Sequence, residues 1–270
     1  MTVQPPAGVL AGQSASLPML DVAGLTLRFG GVTALSDISL TVRQGALQAI
    51  IGPNGAGKTS LFNCLTRYYK ASAGSITYLG TKLDRQSPAE VAALGIRRTF
   101  QNIRVFPRMT VFENVLAGAH LREVANLAAI LFATPRTRRV ERELRAAADH
   151  WIDFVGLSDA RLRPAGELAY GMRKRMEIAR AMIAEPRLLL LDEPAAGVSS
   201  VERTALADLI GRVHASGVGV IMIEHDVELV MNLATDVCVL DGGRLIASGR
   251  PEAVRNDPEV IRAYMGRRRK

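Results

Sequence analysis

Residues 50–61 combine residue types and a spacing that suit the binding of an anion. Glycines 52 and 57 precede a lysine and a threonine in the order G-x-x-x-x-G-K-[ST]. Glycines let the backbone turn tightly, so that successive N–H groups can surround an anion, and a helix that begins at the lysine adds the positive end of its dipole. The sequence therefore predicts a phosphate loop that binds a nucleotide through Gly52, Pro53, Asn54, Gly55, Ala56, Gly57, Lys58, Thr59 and Ser60.

Two side chains of this loop have separate predicted roles. Lys58 would reach the β- and γ-phosphates, and the Thr59 hydroxyl would bind Mg²⁺. The apolar run 47–51 predicts a buried strand before the loop, and residues 60–69 predict the helix that follows it. The alternative is a glycine-rich turn without a ligand, but every fixed position of the motif is filled and a strand precedes it.

Two acidic residues end a second apolar run. Leucines 188–191 are followed by Asp192 and Glu193, which predicts a buried parallel strand with chemistry at its carboxyl end. Asp192 would be a second anchor for Mg²⁺, usually through water, because a hard cation prefers oxygen ligands. Glu193 would orient or deprotonate the water that attacks the γ-phosphate. The alternative is an acid pair that caps the next turn.

Three further side chains are candidates on weaker signals. Gln101, in a segment rich in turn residues, would offer its amide to the metal or to the attacking water, although a loop glutamine is often only solvated. His225 follows the predicted strand 218–223 and could sense the γ-phosphate, whereas a single histidine at a strand end is often structural. Phe29 could stack on an adenine ring or be a core residue of an alternating strand.

A second helix start predicts a second anion site. It is formed by Ala169, Tyr170, Gly171 and Met172, and the N–H groups from Gly171 onward would face the anion. One nucleotide needs only one phosphate loop. The second site therefore suggests a facing subunit, with each ATP held between the loop of one chain and the helix start of the other.

The remaining sequence supplies the elements that would position these residues. Apolar alternation at 25–29 and 38–42, with a short hairpin at 75–83, predicts an antiparallel sheet. Residues 110–156 read as mostly helical, with a charged loop at 135–139. The predicted organisation is a flexible leader at 1–19, a β subdomain and the first part of an α/β nucleotide-binding core at 20–101, a helical subdomain at 102–170, the remainder of the core at 171–250, and C-terminal helices with a basic tail at 251–270.

Composition narrows the class of protein. With 270 residues, 48% hydrophobic and 22% charged, the chain can bury a sizeable core. The net charge is +8, but basic and acidic residues are interleaved, which favours a solvated surface over a nucleic-acid site; residues 267–270 could contact lipid headgroups. Cys64 and Cys238 lie in apolar patterns and predict buried free thiols. No stretch, 127–133 included, is long enough to cross a bilayer, so a membrane role would need a partner.

The order of these features resembles the ATPase subunit of ABC transporters over about residues 20–266. Four stretches are similar, more narrowly, to the G-type ATPase of branched-chain amino-acid uptake systems: 98–104, 191–197, 223–226 and 258–266. The resemblance implies a P-loop NTPase (ABC ATPase) core with an antiparallel β subdomain and an inserted helical subdomain, which uses ATP and Mg²⁺.

The resemblance also implies partners and a location. A second ABC ATPase subunit and two transmembrane permeases would join the chain, fed by a periplasmic substrate-binding protein, and no nucleic acid is expected. The assembly would place this subunit at the cytoplasmic face of the bacterial inner membrane. The segment 103–108 would then lie near the cytoplasmic helices of the permeases.

Three positions depart from the family pattern. The family usually has Ser where this chain has Ala169, Gln where it has Met172, and Asn or Asp where it has Ser199. Ala169 removes a hydroxyl that would contact the γ-phosphate, and a hydrogen bond to a charged group contributes roughly 1.5–3 kcal/mol. In a mixed dimer we therefore hypothesise one strong ATP site, built on this chain's phosphate loop, and one weak site.

Several other functions remain open at this point. A related importer of urea or short amides, or a lipid exporter, would share the same motifs. A soluble ABC protein acting on ribosomes or DNA usually has two cassettes or a long coiled-coil insertion, which this sequence lacks. A nucleotide-binding regulator without turnover is disfavoured by Glu193 and His225. The substrate is implied by the resemblance alone, because no residue of the chain would touch the cargo.

Overall fold

The computed structural model describes residues 18–99, 101, 103–119 and 135–265. Most of the predicted leader, the apolar stretch 127–133 and the basic residues 267–270 lie outside the described residues. The strands are β1 (Pro18–Phe29), β2 (Val32–Arg43), β3 (Leu47–Ile51), β4 (Ala73–Tyr78), β5 (Thr81–Lys82), β6 (Ile96–Arg98), β7 (Leu188–Asp192), β8 (Gly219–Ile223), β9 (Asp236–Asp241) and β10 (Arg244–Gly249). The helices are α1 (Lys58–Leu65), α2 (Pro88–Ala93), α3 (Val111–Ala117), α4 (Pro135–Phe154), α5 (Tyr170–Met182), α6 (Ser200–Ala215), α7 (Val227–Leu233), α8 (Pro251–Arg255) and α9 (Pro258–Met265).

A six-stranded sheet forms the centre of the molecule. Its strand order is β10-β9-β3-β8-β7-β6, in which β10 alone runs antiparallel to its neighbour. Every residue of β3, β7 and β8 is buried, as expected for parallel strands covered on both faces. The carboxyl ends of these three neighbouring strands therefore meet at one edge, where the phosphate loop, the acid pair and His225 follow them.

Successive residues of the central strands face two different cores. Ala49 and Ile51 of β3 belong to a cluster that includes buried residues of α5 and α6. Ile50, between them, belongs to a second cluster formed with the antiparallel sheet β2-β1-β4-β5 and with α1. This alternation follows from the two-residue period of a strand. The sheet is thus held between two layers, which makes its carboxyl edge a rigid base for the loops.

The predicted charged loop at 135–139 is wrong, because these residues begin helix α4. Proline is tolerated at the first position of a helix, where its missing N–H would have no partner in any case. Charged pairs one turn apart support the exposed face of this helix: Arg139 with Glu143 and Glu141 with Arg145, each at 2.8 Å. The charged composition of these residues therefore suggested a loop, although the chain forms a solvent-exposed helix there.

The two thiols are buried and free, as predicted. Burial raises the pKa of Cys64 to about 11, so its thiolate is disfavoured at neutral pH. Among the described residues, no helix combines the length and the apolar character needed to span a bilayer.

Candidate functional site

The phosphate loop connects β3 directly to α1, which begins at Lys58. Gly57, before the helix, has a φ of +100°, and a Cβ there would lie 2.8 Å from the carbonyl oxygen of Ala34. A Cβ on Gly52 would lie 2.1 Å from the carbonyl oxygen of Leu240. Only glycine allows the loop to pack this closely against its neighbours. The narrow turn leaves the helix start open toward a ligand.

The Lys58 ammonium is fixed in the loop. Its Nζ is buried and donates to the carbonyl oxygens of Gly52 (2.7 Å) and Pro53 (3.1 Å). Burial lowers the pKa of Lys58, while the negative charges of Glu193 and Asp192 raise it. The two acids therefore favour the charged lysine that phosphate binding requires.

The turn between β9 and β10 supports the phosphate loop. The N–H of Gly243, between β9 and β10, donates to the carbonyl oxygen of Ala56 at 3.1 Å. The carbonyl oxygen of Gly243 accepts from the N–H of Ser36 in β2 at 2.8 Å. A single residue near the end of the chain thus joins the phosphate loop to the antiparallel sheet.

The loop opens on a cavity of about 740 Å³, a size suited to a small-molecule ligand. Its walls include the phosphate-loop residues from Asn54 to Ser60. Gln101, Glu193 and His225 also line it, although they lie far apart in sequence. The structure therefore brings the three candidate hydrolysis residues to the phosphate loop.

The two carboxylate oxygens of Asp192 have different surroundings. Its Oδ2 accepts from Arg98 Nη2 at 2.7 Å, and both side chains are buried. Arg98 is itself oriented by a hydrogen bond to Asn63 Oδ1 at 2.7 Å. Asp192 Oδ1 is buried and makes no hydrogen bond to any described residue. The orphan oxygen fits a role toward a metal-bound water, since a buried acceptor without a partner is costly.

Replacing Arg98 with methionine is expected to lower the free energy of unfolding by about 3 kcal/mol, because the Asp192 carboxylate would remain buried without its partner. Urea unfolding of the nucleotide-free chain measures this loss. The double variant Arg98→Met, Asp192→Asn is the matched control, since it removes both charges and is expected to regain part of the stability. A loss below about 1 kcal/mol in the single variant would contradict the argument.

The side chains of Gln101 and Glu193 are hydrogen-bonded to each other at the wall of the cavity. Gln101 Nε2 donates to Glu193 Oε2 at 2.8 Å. The backbone of Glu193 has a φ of +47°, a left-handed conformation that costs a non-glycine residue roughly 1–3 kcal/mol. His225 is 59% exposed, so its ring is accessible from the cavity. Strain at an acid that faces a cavity is typical of functional sites.

The ring of Phe29 is 48% exposed, which excludes the alternative of a core residue. It contacts Tyr69 edge to face, with ring centroids 5.1 Å apart. Phe29 pairs in register with Val32, which lines the cavity. An exposed ring at this border is placed suitably for stacking on a base, which stays a prediction.

The second helix start lies outside the phosphate-loop cavity. Ala169 precedes α5 and, having no hydroxyl, makes no side-chain cap; none of the four residues 169–172 lines the cavity. Tyr170 is exposed, whereas Met172 is half-buried against the core. The two predicted anion sites are therefore not joined within one chain.

Ser199 has a structural role at the start of α6. Its hydroxyl accepts from the N–H of Glu202 at 3.3 Å, and Glu202 Oε2 accepts from the N–H of Ser199 at 3.1 Å. Serine caps a helix about as well as asparagine or aspartate. The departure at Ser199 therefore keeps the cap that the usual residues would provide.

Three charged residues at the site received no role from the sequence: Arg98, Lys174 and Glu224. Lys174 Nζ donates to the carbonyl oxygens of Glu193 (3.3 Å) and Gln101 (3.4 Å). Glu224 is fully buried after β8. One signal was present, since Lys174 precedes the apolar Ile178 by one helical turn and so lies on the buried face of α5.

Comparison with known proteins gives two family matches. A model described as "ABC transporter" matches residues 35–196, from β2 through the acid pair. A second model, described as "Branched-chain amino acid ATP-binding cassette transporter", matches residues 244–270. Together the two matches extend over both the phosphate loop and the C-terminal helices.

Similar individual proteins cover almost the whole chain. BraF of Pseudomonas aeruginosa, a high-affinity branched-chain amino acid transport ATP-binding protein, is 44% identical over 93% of this chain and 99% of its own length. LivG of Escherichia coli K12, with the same description, is 41% identical over 93% of this chain and 99% of its own. The ADP conformation of MJ1267, an ATP-binding cassette of an ABC transporter, has a TM-score of 0.81 at 32% identity and covers 93% of this chain and 100% of that one. This structural similarity confirms the predicted α/β fold class.

Proposed function

The chain belongs to the ABC transporter family as an ATP-binding, ATP-hydrolysing subunit, and we propose that it powers the import of branched-chain amino acids. The observation that carries the proposal is identity of 41–44% over 93% of the chain to two proteins that are described as acting in that transport. The C-terminal match, over residues 244–270, supports the same cargo. Hydrolysis would take place in the cavity beside the phosphate loop.

Thr59, Gln101 and Asp192 would hold Mg²⁺ at this site. Asp192 Oδ1, which has no hydrogen-bond partner among the described residues, and the hydroxyl of the exposed loop residue Thr59 would supply oxygen ligands of the kind that a hard cation prefers. When bound, the metal would neutralise charge that develops on the phosphates.

The remaining site residues would bind ATP or activate the water that attacks it. The loop N–H groups and Lys58 would bind the phosphates, and Phe29 would stack on the adenine. Glu193 would orient or deprotonate the attacking water, while the Gln101 amide keeps the Glu193 carboxylate directed into the cavity. His225 would contact the γ-phosphate from the adjacent strand end.

Two surfaces that are exposed in the described part of the chain support the proposed partners. A second ABC ATPase would present its phosphate loop to residues 169–172, which lie outside this chain's own cavity. One of the two permeases would dock at a groove of about 680 Å³ on this chain, lined by Phe106 and Tyr68, residues that are 52% and 58% exposed. A periplasmic binding protein would deliver the cargo, and this subunit would then act at the cytoplasmic face of the bacterial inner membrane.

The uptake of radiolabelled leucine by host cells tests the cargo. Deletion of the gene is expected to abolish high-affinity uptake, and the wild-type gene is expected to restore it. A Glu193→Gln gene is the matched control and is expected not to restore uptake. Unchanged leucine, isoleucine and valine uptake, with loss of urea or amide uptake, would contradict the proposed cargo and leave the ATPase assignment intact.

The two ATP sites of a mixed dimer are expected to contribute unequally. Glu193→Gln in this chain disables the site completed by the partner's helix start, whereas the equivalent change in the partner disables the site completed by Ala169. Because Ala169 lacks a hydroxyl worth roughly 1.5–3 kcal/mol, the first change is expected to reduce turnover at least tenfold more than the second. Steady-state ATPase rates of the assembled transporter measure the ratio.

A serine at position 169 provides the control for this asymmetry. In an Ala169→Ser background the two glutamine variants are expected to become more alike, since both sites would then have the hydroxyl. Equal losses of turnover in the original background would refute the unequal sites.

A further inference from the structure

The strained backbone of Glu193 is held by groups on both sides. Its N–H donates to the carbonyl oxygen of Ile223 at 3.0 Å, and its carbonyl oxygen accepts from the N–H of Ala196 at 3.2 Å. These backbone bonds alone do not explain why two buried charged side chains, Lys174 and Glu224, lie against the same segment.

Lys174 approaches this segment from helix α5. The side chain is 4% exposed, and its ammonium lies 3.3 Å from the carbonyl oxygen of Glu193 and 3.4 Å from that of Gln101. It therefore joins the backbones of the two residues whose side chains meet at the cavity wall. Burial lowers the pKa of Lys174, and four surrounding acids, Glu177 foremost, oppose that shift and favour the charged form.

Glu224 approaches from the end of β8. It is fully buried, and each carboxylate oxygen accepts a different backbone N–H: Oε1 from Ala195 at 2.8 Å and Oε2 from His225 at 3.1 Å. One side chain thus links the loop after Glu193 to the loop that carries His225. A carboxylate can accept both bonds, whereas an amide of the same shape has only one accepting oxygen.

We propose that Lys174 and Glu224 are positioning residues, two buried side chains whose hydrogen bonds to the segment around Glu193 hold that residue in its strained, cavity-facing conformation. The inference rests on the proposed hydrolysis, and it adds residues that act through Glu193 and Gln101 without touching ATP. Buried charges are expensive unless they are hydrogen-bonded, so their presence beside one strained backbone is explained by the bonds they make there.

Lys174 lies on a helix that extends between the two proposed partner surfaces. Lys174 lies in the second turn of α5, the helix that begins with the partner-facing residues 169–172. About two turns from its start, the same helix contacts a segment that lines the proposed permease groove, where Glu177 Oε1 accepts the N–H of Arg104 at 3.1 Å. Movement of α5 by either partner would therefore shift the carbonyl contacts of Glu193 and Gln101.

The variant Lys174→Met, made in the full chain, tests the role of Lys174. The turnover number for ATP hydrolysis is expected to fall about 30-fold, with the affinity for ATP unchanged within about threefold, because the group acts on the hydrolytic acid and not on the phosphates. Lys174→Arg keeps the donor charge and is expected to recover most of the turnover. Ile178→Ala, on the same buried face of α5, is the control for simple loss of stability.

Hydrogen exchange of the nucleotide-free chain tests the role of Glu224. Glu224→Gln is expected to speed exchange of the amides of Glu193, Ala195 and Ala196 about tenfold, since one of two charge-assisted bonds is lost. Exchange in β3 serves as the internal reference and is expected to stay unchanged. The same variant is expected to lower turnover more than affinity, as Lys174→Met does.

A double-mutant cycle decides whether the pair acts through Glu193. In a Glu193→Gln background, Lys174→Met is expected to lower the residual turnover less than about twofold. A further 30-fold loss in that background, a turnover of Lys174→Met within twofold of wild type, or an equal loss in an Ile178→Ala chain of matched melting temperature would each overturn the inference. A wild-type chain that hydrolyses no ATP would overturn the proposed function and this inference together.

Discussion

Glu193→Gln is expected to lower the turnover number for ATP hydrolysis about 10³-fold while leaving the affinity for ATP within about threefold of wild type. A positioned general base contributes typically 10²–10⁴-fold to such a reaction, and glutamine cannot accept the proton. The substitution keeps the shape of the side chain, so the contact with Gln101 can be retained. Phosphate release by an assembly whose partner ATPase already carries the equivalent glutamine change measures the loss at the site built on this chain.

The matched control for this prediction removes the same charge elsewhere. Glu252 is exposed in α8 and does not line the cavity, so Glu252→Gln is expected to hydrolyse ATP at the wild-type rate. If Glu193→Gln kept more than about a tenth of the wild-type turnover, Glu193 would not be the group that activates water.

Lys58→Met is expected to weaken ATP binding about 100-fold. The ammonium, which is fixed in the loop, would donate to two phosphates. Because charge-assisted hydrogen bonds contribute roughly 1.5–3 kcal/mol each, losing both would cost at least about 3 kcal/mol of binding free energy. At a nucleotide concentration of 100 Kd, the wild-type chain gains about 2.7 kcal/mol of stability; the variant would gain only about 0.4 kcal/mol. Unfolding with and without a non-hydrolysable ATP analogue measures both gains.

Lys82→Met is the control for this second prediction. Lys82 is exposed in β5 and lies outside the cavity, so its variant is expected to be stabilised by the analogue as wild type is. Comparable stabilisation of the Lys58 variant and the wild-type chain would mean that the loop does not bind phosphate through its lysine.

Local patterns predicted the fold well because they depend on neighbouring residues. The apolar runs before Gly52 and before Asp192 correctly predicted β3 and β7, and the parallel arrangement of those strands then brings their carboxyl ends together. Proximity of the phosphate loop, Gln101 and His225 in one cavity follows from the same topology.

The charged partners inside the site were not predictable in the same way. Arg98 and Lys174 occur among other basic residues, and apart from the helical spacing of Lys174 and Ile178 the sequence gives no sign that these charges are buried. Their roles depend on contacts across 94 and 19 residues of chain, to Asp192 and to Glu193. The exposed ring of Phe29 also depended on tertiary context, which overrides alternation. The helical start at Pro135 was missed because its charged residues were taken to indicate a loop, although ion pairs one turn apart support a helix there.

The bond between Gly243 and Ala56 affects the order in which this protein can mature during synthesis. The phosphate loop emerges early, but its backing turn and the central neighbours of β3, which are β8 and β9, follow only after well over a hundred further residues have been translated. A nascent chain that ends before residue 243 has the complete nucleotide motif without the scaffold that shapes it. Nucleotide can therefore stabilise the nascent protein only after nearly the whole chain has emerged, because ligand stabilises only the conformation that it binds.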